Sequence, residues 1–189
     1  DTPVHQFQRG GGKHSSFLLA LSLSDGKEVY KAERPEQANA ESKEAFSTPV
    51  LYNFNDKTQL LVTGGDCITG HDPSNGKELW RWGTWNPGKI GHWRLVPSPV
   101  AGEGIALACA PKGAPVYAVK MGSSGNLDDS AISWTSKNEN ISSDVSTPLF
   151  YKGLFYVVHN GRKRTHTLSC VEPKTGKIIW SEDLGVNGK

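Results

Sequence analysis

Cysteine is scarce: Cys67, Cys109 and Cys170 are all there are in 189 residues. The number is odd and no CxxC pair occurs, which argues against both a disulfide framework and a thiolate zinc site. An excess of one charge is missing too. Twenty-one basic residues face 19 acidic ones for a net +2, so no global field draws the chain to nucleic acid or an anionic membrane. No apolar run approaches membrane-spanning length. HExxH, GxSxG, GxxxxGK[ST] and paired metal-spaced histidines are absent, which removes the usual signatures of zinc proteolysis, serine hydrolysis and phosphate cradling. No signal peptide is visible in the sequence, and a start at Asp1 gives that little weight.

What is present repeats. Gly70-His71-Asp72-Pro73-Ser74-Asn75-Gly76-Lys77-Glu78-Leu79-Trp80 has a second clear copy from Cys170 to Trp180, and a third from Ala20 to Tyr30 with Tyr in the Trp place. A fourth is stretched, running from Ala118 through Gly125-Asn126 to Trp134. The turn glycines Gly26, Gly76, Gly125 and Gly176 are 50, 49 and 51 residues apart. A second marker, Ser47-Thr48-Pro49, Pro97-Ser98-Pro99 and Ser146-Thr147-Pro148, keeps the same period. A period of this size means a propeller or a solenoid.

Each copy reads as strand, glycine turn, strand, with Val, Leu, Ile and aromatics flanking the turn. Residues 46–82, 96–136 and 145–183 each accommodate four short strands, A to D, the usual blade of a propeller. Residues 1–34 supply only B, C and D. The expectation is therefore an all-β fold, a β-propeller of four-stranded antiparallel blades, with three and a half to four blades in a single domain. That number predicts part of a larger ring, completed by further residues or a second copy. Cys170 fills the slot that Ala20, Gly70 and Ala118 fill elsewhere, so it is expected to be a small buried residue.

The pattern small-x-[DE]-x-x-[TN]-G-K-x-x-W resembles the tryptophan-docking repeat of the PQQ-like, quinoprotein alcohol dehydrogenase-like β-propellers, over essentially the whole chain. The resemblance implies that Tyr30, Trp80, Trp134 and Trp180 pack between neighbouring blades over a turn glycine. It also implies a bacterial, periplasmic or secreted protein. Relatives include PQQ-dependent dehydrogenases and outer-membrane assembly scaffolds. The dehydrogenases use adjacent cysteines, a calcium ion held by carboxylates and amides, and an Asp base. This chain has no Cys-Cys pair, so no cofactor and no metal are expected within it. Asp66, Asp72, Asp128, Asp129 and Asp144 are carboxylates in turns and loops.

Antiparallel connectivity puts all B–C and D–A loops on one face, and these loops are the richer ones. Trp85, His92, Trp93 and Arg94 share one D–A loop that needs none of them to turn, a combination suited to sugars or anions. The competing structural reading has both indoles packed under the loop and Arg94 capping carbonyls. His159 and Arg162 flank another loop, whose basic tip Arg162-Lys163-Arg164 is ordinarily just solvated. Gly10-Gly11-Gly12-Lys13 reads as a hairpin loop. The functional expectation is a non-catalytic binding or scaffold propeller whose loop-rich face holds a protein, peptide or glycan, without nucleic acid or a membrane span. The alternative is a PQQ- and calcium-dependent oxidoreductase whose active-site residues lie largely in missing blades.

Overall fold

The computed structural model describes residues 2–6, 16–136, 141–159 and 166–185, the first of these in backbone only. In chain order the strands are β1 (Thr2–Gln6), β2 (Phe17–Leu21), β3 (Glu28–Glu33), β4 (Val50–Phe54), β5 (Lys57–Gly64), β6 (Cys67–His71), β7 (Glu78–Trp82), β8 (Val100–Gly102), β9 (Ile105–Cys109), β10 (Val116–Lys120), β11 (Gly125–Leu127), β12 (Ile132–Thr135), β13 (Leu149–Tyr151), β14 (Leu154–His159), β15 (Thr167–Val171) and β16 (Ile178–Asp183). They form four sheets: β1-β2-β3, β4-β5-β6-β7-β11, β8-β9-β10-β12 and β13-β14-β15-β16. The architecture is all-β and that of a partial β-propeller, with three strands of the first sheet among the described residues.

Strands β6 and β9 are buried at every position. Covering on both faces is what a middle blade requires, and it explains their unbroken apolar and small-residue runs. Three clusters fill the spaces between sheets: Leu18 with Leu60 and Val62 between the first and second, Trp80 and Trp82 with Ala106, Ala108 and Val119 between the second and third, and Leu107, Val116 and Ala118 with Phe155, Val157 and Val171 between the third and fourth.

The Gly-Lys turn is built alike three times. Gly26, Gly76 and Gly176 each donate their amide to the carbonyl four residues back, of Ser22, Asp72 and Glu172, at 2.8, 2.8 and 3.0 Å. All three glycines have φ near +70° (69, 75 and 71°), where a side chain is strained. The acidic residue of the motif organises the turn as well. Asp72 Oδ1 accepts from the Ser74 amide at 2.8 Å and Glu172 Oε2 from the Thr175 amide at 2.7 Å. Hydrogen bonds from Ser74 and from Thr175 hold the respective carboxyls below their ordinary range.

Every D strand carries a β-bulge one residue before its aromatic. The register shifts at Ala20/Leu21, Gly70/His71, Ala118/Val119 and Cys170/Val171, so Val29, Leu79, Ser133 and Ile179 have no residue opposite. A bulge re-aims the side chain that follows it. Here that side chain is Tyr30, Trp80, Trp134 or Trp180.

Two of the four rings lie on the next sheet's turn glycine. A Cβ built on Gly76 would stand 2.5 Å from Cε2 of Tyr30, and one on Gly176 2.5 Å from Cδ2 of Trp134. Trp134 Nε1 also donates to the Pro173 carbonyl at 2.7 Å. Trp80 differs. Its ring covers Gly70 of its own sheet, and its Nε1 donates to Gln59 Oε1 at 2.7 Å. Gly125 is not a tight-turn glycine beneath it, since nothing lies within 4 Å of where its Cβ would be. The stretched connection instead lays β11 parallel to β7, Gly125 opposite Trp80 and Leu127 opposite Trp82. The physical reason is the insertion's length. It reaches the neighbouring sheet's outer edge and pairs backbone groups that would otherwise stay open there.

The second sequence marker ties the A strands together at the hub. The Thr48 amide donates to Ser98 Oγ at 2.9 Å, and the Ser98 amide to Thr147 Oγ1 at 3.0 Å. A hydroxyl one period later thus satisfies each amide, which is why Ser or Thr recurs before proline.

Candidate functional site

The D–A connections of the first two sheets, residues 34–49 and 83–99, interlock into one cap. Ala45 and Leu95 form a parallel bridge. The Phe46 amide donates to the Leu95 carbonyl at 2.8 Å, the Leu95 amide to the Glu44 carbonyl at 3.1 Å, and the Glu41 amide to the Gly91 carbonyl at 2.8 Å. A short 3-10 turn at Ala40–Lys43 places Ser42, whose hydroxyl donates to the Ile90 carbonyl at 2.5 Å and accepts from the Trp93 amide at 2.8 Å. Lys89 Nζ reaches the Gln37 carbonyl at 2.7 Å.

The six candidate residues from the sequence are placed very differently. Trp85 is buried beneath the cap, its ring centroid 5.6 Å from that of Trp82 and 6.3 Å from that of Tyr117. Arg94 Nη2 lies 2.7 Å from Glu41 Oε1 and its Nε 2.8 Å from Glu44 Oε2. Trp93 is half-buried against the cluster between the second and third sheets, and His92 is exposed. The loop thus brings Trp85, Trp93 and Arg94 to one cap, with His92 turned fully outward and Trp93 and Arg94 partly exposed. His159 is buried at the end of β14, in another sheet. Arg162 and the basic tip, like Gly10–Gly12 and Lys13, lie outside the described residues.

Sequence reasoning singled out Trp85 and Arg94 but not the groups that hold them. Asn86 is the clamp: its Nδ2 donates to Asp66 Oδ2 at 2.8 Å and to the Ile90 carbonyl at 3.1 Å, and its Oδ1 accepts from the Ile90 amide at 2.9 Å. Burial pushes the Asp66 carboxyl up, against the opposing pull of the Asn86 hydrogen bond and the Lys89 charge. Asp129, on the insertion, accepts from Thr84 Oγ1 at 2.5 Å and Trp82 Nε1 at 3.3 Å. Only the Asn-Pro-Gly turn chemistry of 86–88 signalled a structured loop in advance.

Under the cap, Arg34 is buried with its Nη2 3.2 Å from Thr69 Oγ1. The same hydroxyl lies 2.9 Å from Nε2 of His71, whose Nδ1 is 3.0 Å from the Gly76 carbonyl. Burial drives the His71 imidazole down to about 4, so it is neutral at pH 7 and acts as a strut. All three cysteines are free and buried. Burial raises the thiols of Cys67 and Cys109, the latter to about 12, which leaves them inert.

Among the described residues no cluster of three or more His, Cys, Asp or Glu could hold a metal ion. The most site-like indole, Trp85, is sealed beneath the cap rather than offered as a stacking plate. Among the described residues no helix is long and apolar enough to cross a membrane.

Four sheets of three to five strands with a repeated aromatic–glycine signature define the class as a β-propeller of the PQQ-like kind. The profile of one family, described as the outer membrane protein assembly factor BamB, matches residues 11–182, and the chain belongs to that family. Two solved structures share the fold. A europium-containing methanol dehydrogenase is 14% identical with a TM-score of 0.61, over 98% of this chain and 40% of that one. A quinohemoprotein alcohol dehydrogenase from Pseudomonas putida HK5 is 14% identical with a TM-score of 0.53, over 78% of this chain and 22% of that one. The chain thus spans less than half the length of either. No curated protein matches the sequence.

Proposed function

We propose that the chain is a non-catalytic binding or scaffold part of a bacterial propeller, working in the periplasm or after secretion, and that its loop-rich face receives a protein, peptide or glycan. The observation that carries this reading is the interlocked cap. Arg94, Ser42, Lys89 and the Ala45–Leu95 bridge hold the two long loops to one another, so the platform is pre-ordered. Among what that platform turns outward are an exposed Phe46, an exposed His92 and the open part of Trp93, set beside Glu41, Lys43 and Lys89. Aromatic rings on a pre-ordered surface give contact area with little ordering entropy to lose. Membership of a family described as an assembly factor supports the scaffold reading.

The test is binding of the purified protein to peptide and glycan arrays, repeated with His92→Ala and Trp93→Ala. Capture that falls about tenfold or more in Trp93→Ala, with circular dichroism unchanged, is expected. Capture indifferent to both substitutions removes this face from consideration. Reduction of a dye acceptor after addition of PQQ and calcium would replace the proposal with an oxidoreductase reading.

A further inference from the structure

The outer edges of the second and third sheets are built from equivalent strands and end differently. In the second sheet β11 lies along β7 and parallel to it, with Gly125 opposite Trp80, Asn126 opposite Arg81 and Leu127 opposite Trp82. Leu127 packs into the cluster between the second and third sheets, which holds the buried Trp82. The third sheet ends on β12 itself: among the described residues no strand pairs with its outer edge. All four residues of β12 are half-buried, whereas Trp80 and Trp82 of β7 are buried. The sequence carries the difference too. Two residues after the docking aromatic the second repeat has Trp82, and the third has Ser136, whose hydroxyl is turned back to accept from the Val116 amide at 2.9 Å.

The space so left is a groove of about 500 Å³ between the third and fourth sheets, walled by residues 133–136 on one side and 175–178 on the other. Its walls are held at a fixed spacing. Ser133 Oγ donates to the Lys174 carbonyl and Trp134 Nε1 to the Pro173 carbonyl, both at 2.7 Å. Trp134, Ile141 and Ile178 give the groove apolar surface, and Lys177 is the one charge among the described residues lining it. Backbone groups alternate in direction along a strand, and the Ser136 amide donates inward, to the Val116 carbonyl at 2.9 Å. The amide and carbonyl of Thr135 therefore turn outward. Thr135 corresponds to Arg81, the central residue of the β7–β11 pairing.

We propose that this groove takes an extended segment of a partner polypeptide, which adds to β12 as a parallel strand, bonds the outward backbone groups of Thr135 and seats an apolar side chain between Trp134 and Ile178. In strand addition the main-chain bonds supply affinity and the pocket for an alternate side chain supplies selectivity. The chain's own β11 argues for this occupant: at the equivalent edge the fold already places an extended segment, with Leu127 inserted against the core. This inference concerns the outer edge of the third sheet and does not rest on the loop-face reading, so either can fail alone.

The test uses the sequence of that inserted segment as its probe: the capped peptide of residues 123–131, SSGNLDDSA, and two N-methylated forms, one blocked at its Asn and the other at its Gly and Leu. Binding to the whole chain is followed by amide NMR titration. An extended strand turns alternate amides to the edge it joins. One N-methylated form is therefore expected to bind like the parent, and the other at least about tenfold more weakly. The largest shift is expected at the Thr135 amide. Thr135→Pro is expected to weaken the parent peptide at least about tenfold while keeping the fold, because proline is accepted on an edge whose N–H faces out. Should that variant fail to fold, the N-methylated pair gives the answer without altering the protein. No saturable binding, two N-methylated forms that bind alike, or shifts centred on Arg81 because the peptide displaces β11 would each overturn the proposal.

Discussion

Trp80 and Trp180 hold the same position in their repeats, yet one is 1% exposed between two sheets and the other 44% exposed on a face that no other sheet among the described residues covers. Both follow a β-bulge and both stand opposite a small residue, Gly70 or Cys170. The local sequence therefore sets where the ring points, and only the adjacent sheet sets what that orientation is worth. The difference also explains why β5, with six consecutive buried positions, is sealed on both faces, while β14 alternates between buried and half-buried.

The largest expected effect breaks that comparison at its buried end. Trp80→Ala removes a fully buried indole and leaves Gln59 without its donor, so it should cost about 3–5 kcal/mol of unfolding free energy in urea. Trp180→Ala should cost less than about 1 kcal/mol in the same assay.

Next comes pH. The His71 imidazole is depressed to about 4 in the folded protein against about 6.5 when unfolded. The unfolded chain therefore binds the extra proton first as pH falls. Stability is intact above about pH 6.5 and declines through the window down to pH 4, by on the order of 3 kcal/mol. His71→Asn should flatten that part of the stability–pH curve, and an unaltered slope would assign the acid sensitivity elsewhere.

The turn glycines sharpen the comparison further. Gly26 and Gly76 share φ, but only Gly76 lies beneath a ring. Gly26→Ala should show the backbone strain alone, about 1 kcal/mol. Gly76→Ala should cost about 1–3 kcal/mol more because Tyr30 must move. Thermal unfolding of the two variants side by side measures the difference. The smallest of these effects belongs to the cap. Arg94→Ala takes the guanidinium from the buried Glu44 and should cost about 1–2 kcal/mol, with Arg94→Lys restoring only part of it.

Much of the fold was legible because it repeats. A 50-residue period, carried independently by the Gly-Lys turn and the Ser/Thr-Pro marker, announced an all-β fold of repeated antiparallel sheets. The stretched repeat was less legible. Nothing in Gly125-Asn126-Leu127 announces that it will pair with β7, because edge pairing depends on backbone groups of a strand more than forty residues away. The site was harder still. Trp85 reads the same whether its indole stacks on a ligand or on Trp82 and Tyr117, and the choice is made by Asn86, Asp66 and Asp129, which come together only in three dimensions. The bulges before the aromatics also left no mark in composition, since the residues displaced are as different as Val29, Leu79, Ser133 and Ile179.

The most direct measurement is hydrogen exchange at the indole N–H groups, followed by NMR. The account predicts strong protection for Trp80, bonded to Gln59, and for Trp134, bonded to Pro173, with Trp180 exchanging at nearly the rate of a free indole. Equal protection of all three, or fast exchange at Trp80 and Trp134, would contradict the claim that these rings wedge neighbouring sheets together.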